Sequence, residues 1–214
     1  MDKKHYSTYI FDLDGPLLDT LGDLAASTHF ALRPMCMPER SVDEVRRFVG
    51  NGVERLIRRA LPDGSAEDVV SQTLAVFKAH YLEHGLDTTA PYEGVTEMLR
   101  QLKGRGCRIA VVSNKFDDAT RALCRHFFPD TVSVAVGERE GIARKPSPDT
   151  VMEALRQLGV SAEGAVYVGD SEVDILTADN CRMPCISVLW GFRDRALLEA
   201  HGGVEFVSIP SELY

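Results

Sequence analysis

The chain has 214 residues, 44% of them hydrophobic, and a formal net charge of −8 at pH 7. That is enough for one α/β domain carrying an insertion, or for two small domains with an ample core. The acidic balance argues against a nucleic-acid surface, and no apolar run is long enough to span a bilayer. The five cysteines (Cys36, Cys107, Cys124, Cys181, Cys185) are scattered and form no C-x-x-C pair, so neither a zinc site nor a disulfide framework is indicated. Met1–Tyr6 carries no apolar signal stretch ahead of the first strand. Reduced, mostly buried thiols in a cytoplasmic protein are the expectation.

Tyr9–Phe11 is a run of β-formers short enough for a strand buried on both faces, and it ends in Asp12-Leu13-Asp14-Gly15. Burying two charges there is costly unless something pairs with them, and the carboxyl ends of strands in open α/β sheets are where ligands and metals bind. The stretch suggests a nucleophilic Asp12, a proton-handling Asp14 and a divalent cation that offsets their charge. A strand running into an ordinary acidic turn is the plainer alternative. Leu17, Leu21, Leu24, Ala25, Thr28 and Leu32 then follow helical spacing to about Met35, where Pro34 and Pro38 stop the run. Ser41-Val42-Asp43-Glu44 is a capping box for a short helix ending near Val49-Gly50. Asn51-Gly52 breaks the chain, and Val53–Leu61 resumes a helix with Val53, Leu56, Ile57 and Ala60 on one face. After the turn Pro62-Asp63-Gly64, a long helix runs to about His84 with Val69, Val70, Leu74, Phe77 and Tyr81 apolar.

From Pro91 the rhythm changes. Val95, Met98, Leu99 and Leu102 mark a helix that Gly104 stops, and Arg108–Val112 is a strand ending at Ser113-Asn114-Lys115. Asp117 reads as the cap of a helix to about His126, and Val132–Val136 as the next strand. Ser147 reads as a cap before an N1 proline, Pro148, with the helix ending at Gly159. The strand Ala165–Val168 meets Gly169-Asp170-Ser171-Glu172-Val173-Asp174, a helix runs to about Asn180, and Cys185–Leu189 is a further strand. Trp190-Gly191-Phe192-Arg193 reads as loop packing, and Glu205–Ile209 as a last short strand. Alternating strands and helices predict an α/β fold, a Rossmann-like, doubly wound, mostly parallel sheet covered on both faces. Residues 1–16 and 86–214 would form this core, and residues 17–85 an all-helical insertion.

Polar residues gather at four strand ends or adjoining loops: Asp12 and Asp14; Ser113 and Asn114; Lys145; Asp170 and Asp174. In a parallel sheet these ends share one edge. One carboxylate can attack phosphorus, and a second can give a proton to the leaving oxygen and take one from water. A hydroxyl, an amide and an ammonium can hold phosphoryl oxygens, and hard ligands from Asp12 and Asp170 suit Mg²⁺.

With these residues in place, the chain resembles the haloacid dehalogenase-like hydrolase superfamily over essentially its whole length. Asp12-Leu13-Asp14-Gly15 resembles the first motif. It implies Asp12 as nucleophile and metal ligand, and Asp14 as acid/base whose backbone carbonyl also meets the metal. Ser113 matches the second motif, a phosphoryl binder, and Lys145 in Arg144-Lys145-Pro146 the third. Gly169–Asp174 matches the fourth, which implies Asp170 on the metal and Asp174 in support. The insertion resembles the family's helical cap, and Val49–Ile57 and Leu17–Leu24 look like segments of its phosphoglycolate phosphatase subgroup, implying substrate contact by Gly52 and Arg55. Pro16 departs from the pattern, which has Thr there, so a hydroxyl and a backbone N–H are missing.

The resemblance implies an Mg²⁺-dependent phosphomonoesterase for a small phosphorylated metabolite, 2-phosphoglycolate first, acting as monomer or homodimer without nucleic acid or membrane. A sugar phosphomutase, a nucleotide or pyrophosphate hydrolase, and a non-catalytic metabolite binder stay open. A dehalogenase fits less well, because dehalogenases of the superfamily lack the second Asp.

Overall fold

The computed structural model describes residues 5–214; Met1–Lys4, the start of the stretch expected to lead into the first strand, lie outside the described residues. The chain runs β1 (Thr8–Phe11), β2 (Leu18–Asp19), α1 (Leu21–Leu32), α2 (Val42–Phe48), α3 (Val53–Ala60), α4 (Glu67–His84), β3 (Ala90–Pro91) and α5 (Val95–Gly104). It continues β4 (Arg108–Phe116), α6 (Asp117–Phe127), β5 (Val134–Glu138), α7 (Asp149–Leu158), β6 (Ala165–Gly169), α8 (Glu172–Asn180), β7 (Cys185–Val188), α9 (Arg195–Ala200) and β8 (Glu205–Val207). Residues through Leu18 with Pro91–Tyr214 make one compact unit, and Asp19–Ala90 a second. None of the described helices is long and apolar enough to cross a membrane.

The first unit is built on a parallel sheet of order β5-β4-β1-β6-β7-β8. β1 is central, and the strand order reverses beside it, which makes its carboxyl end the place where a crevice opens in such sheets. All four β1 residues are buried, and Tyr9, Ile10 and Phe11 alternate between two cores. Tyr9 and Phe11 join Val95, Leu99, Leu123 and Val168 on one face, while Ile10 joins Val112, Val151, Leu155 and Tyr167 on the other. A strand covered on both faces has no solvent-facing side, which explains the short run Tyr9-Ile10-Phe11.

Several sequence expectations shift by a turn for identifiable reasons. Leu17 and Leu18 do not open a helix; their N–H groups both donate to the Leu13 carbonyl, and their side chains enter the sheet core. α1 therefore starts at Leu21. Ser113, Asn114 and Lys115 lie within β4 rather than beyond it. Phe116, not Asp117, precedes α6, because the Asp117 carboxylate turns to Gly137 N, Arg121 and Arg139. Pro148 takes the position before α7, and Ser147 Oγ donates to Asp149 instead. α5 ends at Gly104 as expected, with Arg105 as its C-cap. α9 has no apolar periodicity to mark it in the sequence; Asp194 caps it, accepting from Leu197 N at 2.8 Å. Of the cysteines only Cys124 is buried, where burial pushes its thiol up to about 12.

In the second unit α1 packs on α2 and α4, and α3 packs on α2 and α4. The Ser41–Glu44 capping box forms in full, and Val53, Leu56, Ile57 and Ala60 are the buried face of α3, as their spacing predicts. In α4 the buried positions are Val70, Thr73, Phe77 and Tyr81. Thr73 serves as a core residue because its hydroxyl donates to the Val69 carbonyl at 2.8 Å.

Asp23 is the buried charge of this unit, only 2% exposed. Its carboxylate accepts from Thr88 N and Oγ1 and from Thr89 N and Oγ1, at 2.5–3.1 Å. Burial alone would push the carboxyl up, but these four donors outweigh it and hold it below the usual Asp value. A depressed carboxyl contributes stability that is present above the unfolded Asp value and lost as pH falls through the folded one. Asp23→Asn, which points an amide N–H at these donors, is expected to cost about 2–3 kcal/mol in urea unfolding at pH 7. The cost should shrink as the pH is lowered from 5 towards 2. A cost that does not change over that range would show that the carboxylate charge is not what the threonines hold.

Candidate active site

The site forms at the carboxyl edge of the first unit's sheet. Asp12 directly follows β1, and its N–H donates to Val168 O at 2.9 Å, which continues the register with β6. Its Oδ1 accepts from Leu13 N at 2.7 Å and lies 2.9 Å from Lys145 Nζ.

Lys145 comes from the loop between β5 and α7, and Asn114 fixes that loop. Lys145 N donates to Asn114 Oδ1 at 2.8 Å, and Asn114 Nδ2 donates back to Lys145 O at 3.0 Å. The ammonium, 2% exposed, then meets Asp12, Asp174 Oδ1 at 2.8 Å and Tyr167 Oη at 3.0 Å. Three N–H donors meet three oxygens, so the buried cation is fully satisfied. Burial alone would strip its proton; the two carboxylates outweigh that and push its pKa up.

Asp174 stands in the first turn of α8, where it completes a capping box with Ser171. Its Oδ1 accepts from Lys145 Nζ and Tyr167 Oη, and its Oδ2 from Asp170 N, Ser171 N and Ser171 Oγ. Despite complete burial these donors hold its carboxyl below the usual range. Asp170 differs. Its Oδ2 accepts from Phe192 N at 2.5 Å, and burial, followed by the charge of Asp174, pushes its carboxyl up to about 7. Asp12 is also pushed up, by burial first, with Lys145 opposing and Asp174, Asp170 and Asp14 adding to it.

Asp12, Asp170 and Asp174 are all buried and bring oxygens within 4.8 Å of one another. Hard carboxylate oxygens at this spacing fit a divalent cation, which would offset the burial and the mutual repulsion that raise Asp12 and Asp170. Because Asp174 already accepts from five groups, Asp12 and Asp170 are the residues with oxygens to offer. Asp14, half-buried, directs its carboxylate to Lys115, with Oδ1 and Nζ 3.1 Å apart. Ser113 Oγ is buried and accepts from Lys115 N at 3.1 Å. Gly52 and Arg55 belong to the helical unit, where Gly52 precedes α3 at φ +82° and Arg55 is exposed.

Four features of the site went unmarked in the sequence: Lys115, Tyr167, and two contacts of the loop after β7. That loop does more than pack. Phe192 N reaches Asp170, and Trp190 Nε1 donates to Pro16 O at 3.0 Å, so Pro16 takes part through its carbonyl. Tyr167 did carry a signal, since a tyrosine in a fully buried strand needs a partner for its hydroxyl.

Glycines allow the close approach. A Cβ on Gly15 would lie 2.2 Å from Asp170 Oδ2, and Gly15 sits at φ +102°. A Cβ on Gly191 would lie 2.4 Å from the same oxygen. Gly15→Ala is therefore expected to destabilise by about 1–3 kcal/mol from overlap, with backbone strain in addition. A melting temperature equal to that of the unsubstituted protein would contradict this packing.

The haloacid dehalogenase-like hydrolase family model matches residues 9–188. The phosphoglycolate phosphatase of Aquifex aeolicus (strain VF5) is 33% identical over 184 residues, 86% of this chain and 84% of the relative. The phosphoglycolate phosphatase of Mesorhizobium japonicum is 34% identical over 201 residues, 89% and 86% of the two chains. A crystal structure from Lactobacillus delbrueckii subsp. bulgaricus, provisionally assigned as a phosphoglycolate phosphatase, superposes with a TM-score of 0.94 at 34% identity, covering 98% of this chain and 97% of that one.

Proposed function

The chain belongs to the haloacid dehalogenase-like hydrolase family, and from that premise we propose that it is an Mg²⁺-dependent phosphatase that hydrolyses a small phosphorylated metabolite, 2-phosphoglycolate first, through a phosphoryl group carried on Asp12. The observation that carries this reading is the buried contact of Asp12 with Lys145, 2.9 Å apart inside a cluster of carboxylates. An oxygen nucleophile stands there beside a fixed positive charge, away from water.

In the first step a carboxylate oxygen of Asp12 bonds to phosphorus while the bond from phosphorus to the ester oxygen breaks. Asp14 delivers its proton to that leaving oxygen, and the alcohol departs. In the second step Asp14, now a carboxylate, takes a proton from water as the water oxygen attacks phosphorus. The bond from phosphorus to Asp12 breaks, inorganic phosphate leaves, and Asp14 is again protonated. The Ser113 hydroxyl receives an equatorial phosphoryl oxygen, and the charge of Lys145 beside Asp12 stabilises the phosphoryl group, where most of the stabilisation arises. Asp12, Asp170 and the main-chain carbonyl of Asp14 would hold Mg²⁺, which supplies positive charge to the phosphoryl group.

We assign Asn114 to positioning Lys145, since both ends of its amide engage the Lys145 main chain. Asp174 positions Lys145 and the Asp170 loop in the same way. The helical unit takes the part of a cap, with Gly52 and Arg55 as its substrate contacts. Support for this comes from the family resemblance of residues 17–85.

Hydrolysis of p-nitrophenyl phosphate and of 2-phosphoglycolate should require Mg²⁺ and stop on chelation. Asp12→Asn should keep the fold and lose about a thousandfold or more in kcat. Turnover at the unsubstituted rate in that variant would end the reading.

A pH dependence follows from Asp170, whose carboxyl moves from 3.8 to about 7 on folding without metal. Between those values the folded state retains a proton that the unfolded chain has released, so metal-free stability falls as pH rises. Mg²⁺ binds the ionised form and offsets that loss. The Mg²⁺-induced rise in melting temperature should therefore be larger at pH 7.5 than at pH 5.5. An equal rise at both would place the metal elsewhere.

A further inference from the structure

On α4 the sequence His80-Tyr81-Leu82-Glu83-His84 puts two imidazoles four residues apart, on one face of the helix. Their rings lie side by side, with centroids 4.4 Å apart and planes 28° from parallel. Phe30 of α1 also lies against His80, at 4.1 Å and 30°. Each imidazole is held by its Nδ1. His84 Nδ1 meets Asp87 Oδ2 at 2.9 Å, and His80 Nδ1 meets Ser27 Oγ at 3.0 Å. All of these residues belong to the helical unit, and the phosphatase reading uses none of them.

An ionised carboxylate only accepts, so the Asp87 contact keeps the proton of neutral His84 on Nδ1 and leaves the lone pair on Nε2. A serine hydroxyl accepts as readily as it donates, so Ser27 allows His80 the same tautomer. Metal-bound histidines share this arrangement: one ring nitrogen goes to the ion and the other to an oxygen of the protein. Two histidines at this spacing can also bind one Zn²⁺ from a single helix.

We propose that His80 and His84 together chelate one divalent transition cation through Nε2, with Asp87 and Ser27 orienting the two rings. Imidazole nitrogen suits zinc, nickel and copper, whereas Mg²⁺ suits the carboxylate oxygens of Asp12 and Asp170, so the two sites sort cations by ligand chemistry. Zinc sits about 2.0–2.1 Å from each imidazole nitrogen, a reach that two neighbouring rings can share. An imidazole must be neutral to bind. Burial, followed by the charge of His84, holds His80 below the usual imidazole value, and the His84 side chain, 46% exposed, leaves the pair open to solvent. Among the described residues no third histidine, cysteine or carboxylate completes a cluster with this pair, so water fills the remaining coordination positions.

The test is a calorimetric titration of the full chain, without an affinity tag and saturated with Mg²⁺, with Zn²⁺ at about pH 7.5, where imidazole is neutral. His80→Ala and His84→Ala should each weaken Zn²⁺ binding at least about tenfold, and Asp87→Asn about tenfold, as loss of an orienting partner does. His126→Ala, which removes an exposed imidazole elsewhere, should leave the affinity unchanged. In NMR spectra the ring signals of His80 and His84 should move with Zn²⁺, while those of His126 and His201 stay in place. His80→Phe, which keeps a ring against Phe30, gives the same comparison should the alanine variant fail to fold.

An affinity unchanged in both His80→Ala and His84→Ala would overturn the proposal and leave the two rings as packing. So would a loss in only one of them, since a single imidazole would then be the ligand. Neither result depends on whether the protein hydrolyses phosphate esters.

Discussion

The Lys145 ammonium, fully buried and donating to Asp12, Asp174 and Tyr167 together, is the contact on which the arrangement depends. Removing one partner of a buried ion pair costs about 3–5 kcal/mol, because the other charge stays out of water without compensation. Here the remainder would be several carboxylates, brought to one edge by three strands and their loops. The parallel sheet makes the gathering possible, and the ammonium makes it tolerable. What Lys145 leaves over appears in the raised carboxyls of Asp12 and Asp170, and it is this surplus that a divalent cation would offset.

Much of the surrounding backbone is committed to placing that one cation. The Asn114 amide fixes the Lys145 main chain from β4, Ser171 and two N–H groups fix Asp174 from the start of α8, and Tyr167 closes the set from β6. Asp174 illustrates the division of labour. It belongs to the acidic cluster by distance, but five donors leave its oxygens engaged, so it supports the site instead of offering a coordination position. Asp170, with Gly15 and Gly191 pressed against it, is the carboxylate that remains available.

A large part of this was legible in the sequence, because burying charge at a strand end leaves a mark. An apolar run stopping at Asp12, and another stopping at Gly169-Asp170, are hard to explain without a partner for the carboxylates. The strands themselves were legible from β-branched and aromatic runs, and Ser41-Val42-Asp43-Glu44 from its capping chemistry. What escaped was whatever depends on partners distant in sequence. Lys115 reads as an ordinary strand-end lysine until Asp14 is placed beside it. Thr73 reads as polar until its hydroxyl is seen to bond within its own helix. Leu17 and Leu18 mimic the start of a helix, although the Leu13 carbonyl turns them into the sheet core. Pro16 stood out as a departure for its missing N–H, but its contact in the structure is the carbonyl that accepts from Trp190.

The central claim is that phosphorus is attacked twice, first by Asp12 and then by water. Each in-line displacement inverts the configuration at phosphorus, so two of them restore it. Hydrolysis in isotopically labelled water of a phosphate ester made chiral at phosphorus with oxygen isotopes tests this most directly. Net retention of configuration in the inorganic phosphate released is the predicted result. Net inversion would mean that water attacks the substrate in a single step, and it would contradict the account built on Asp12.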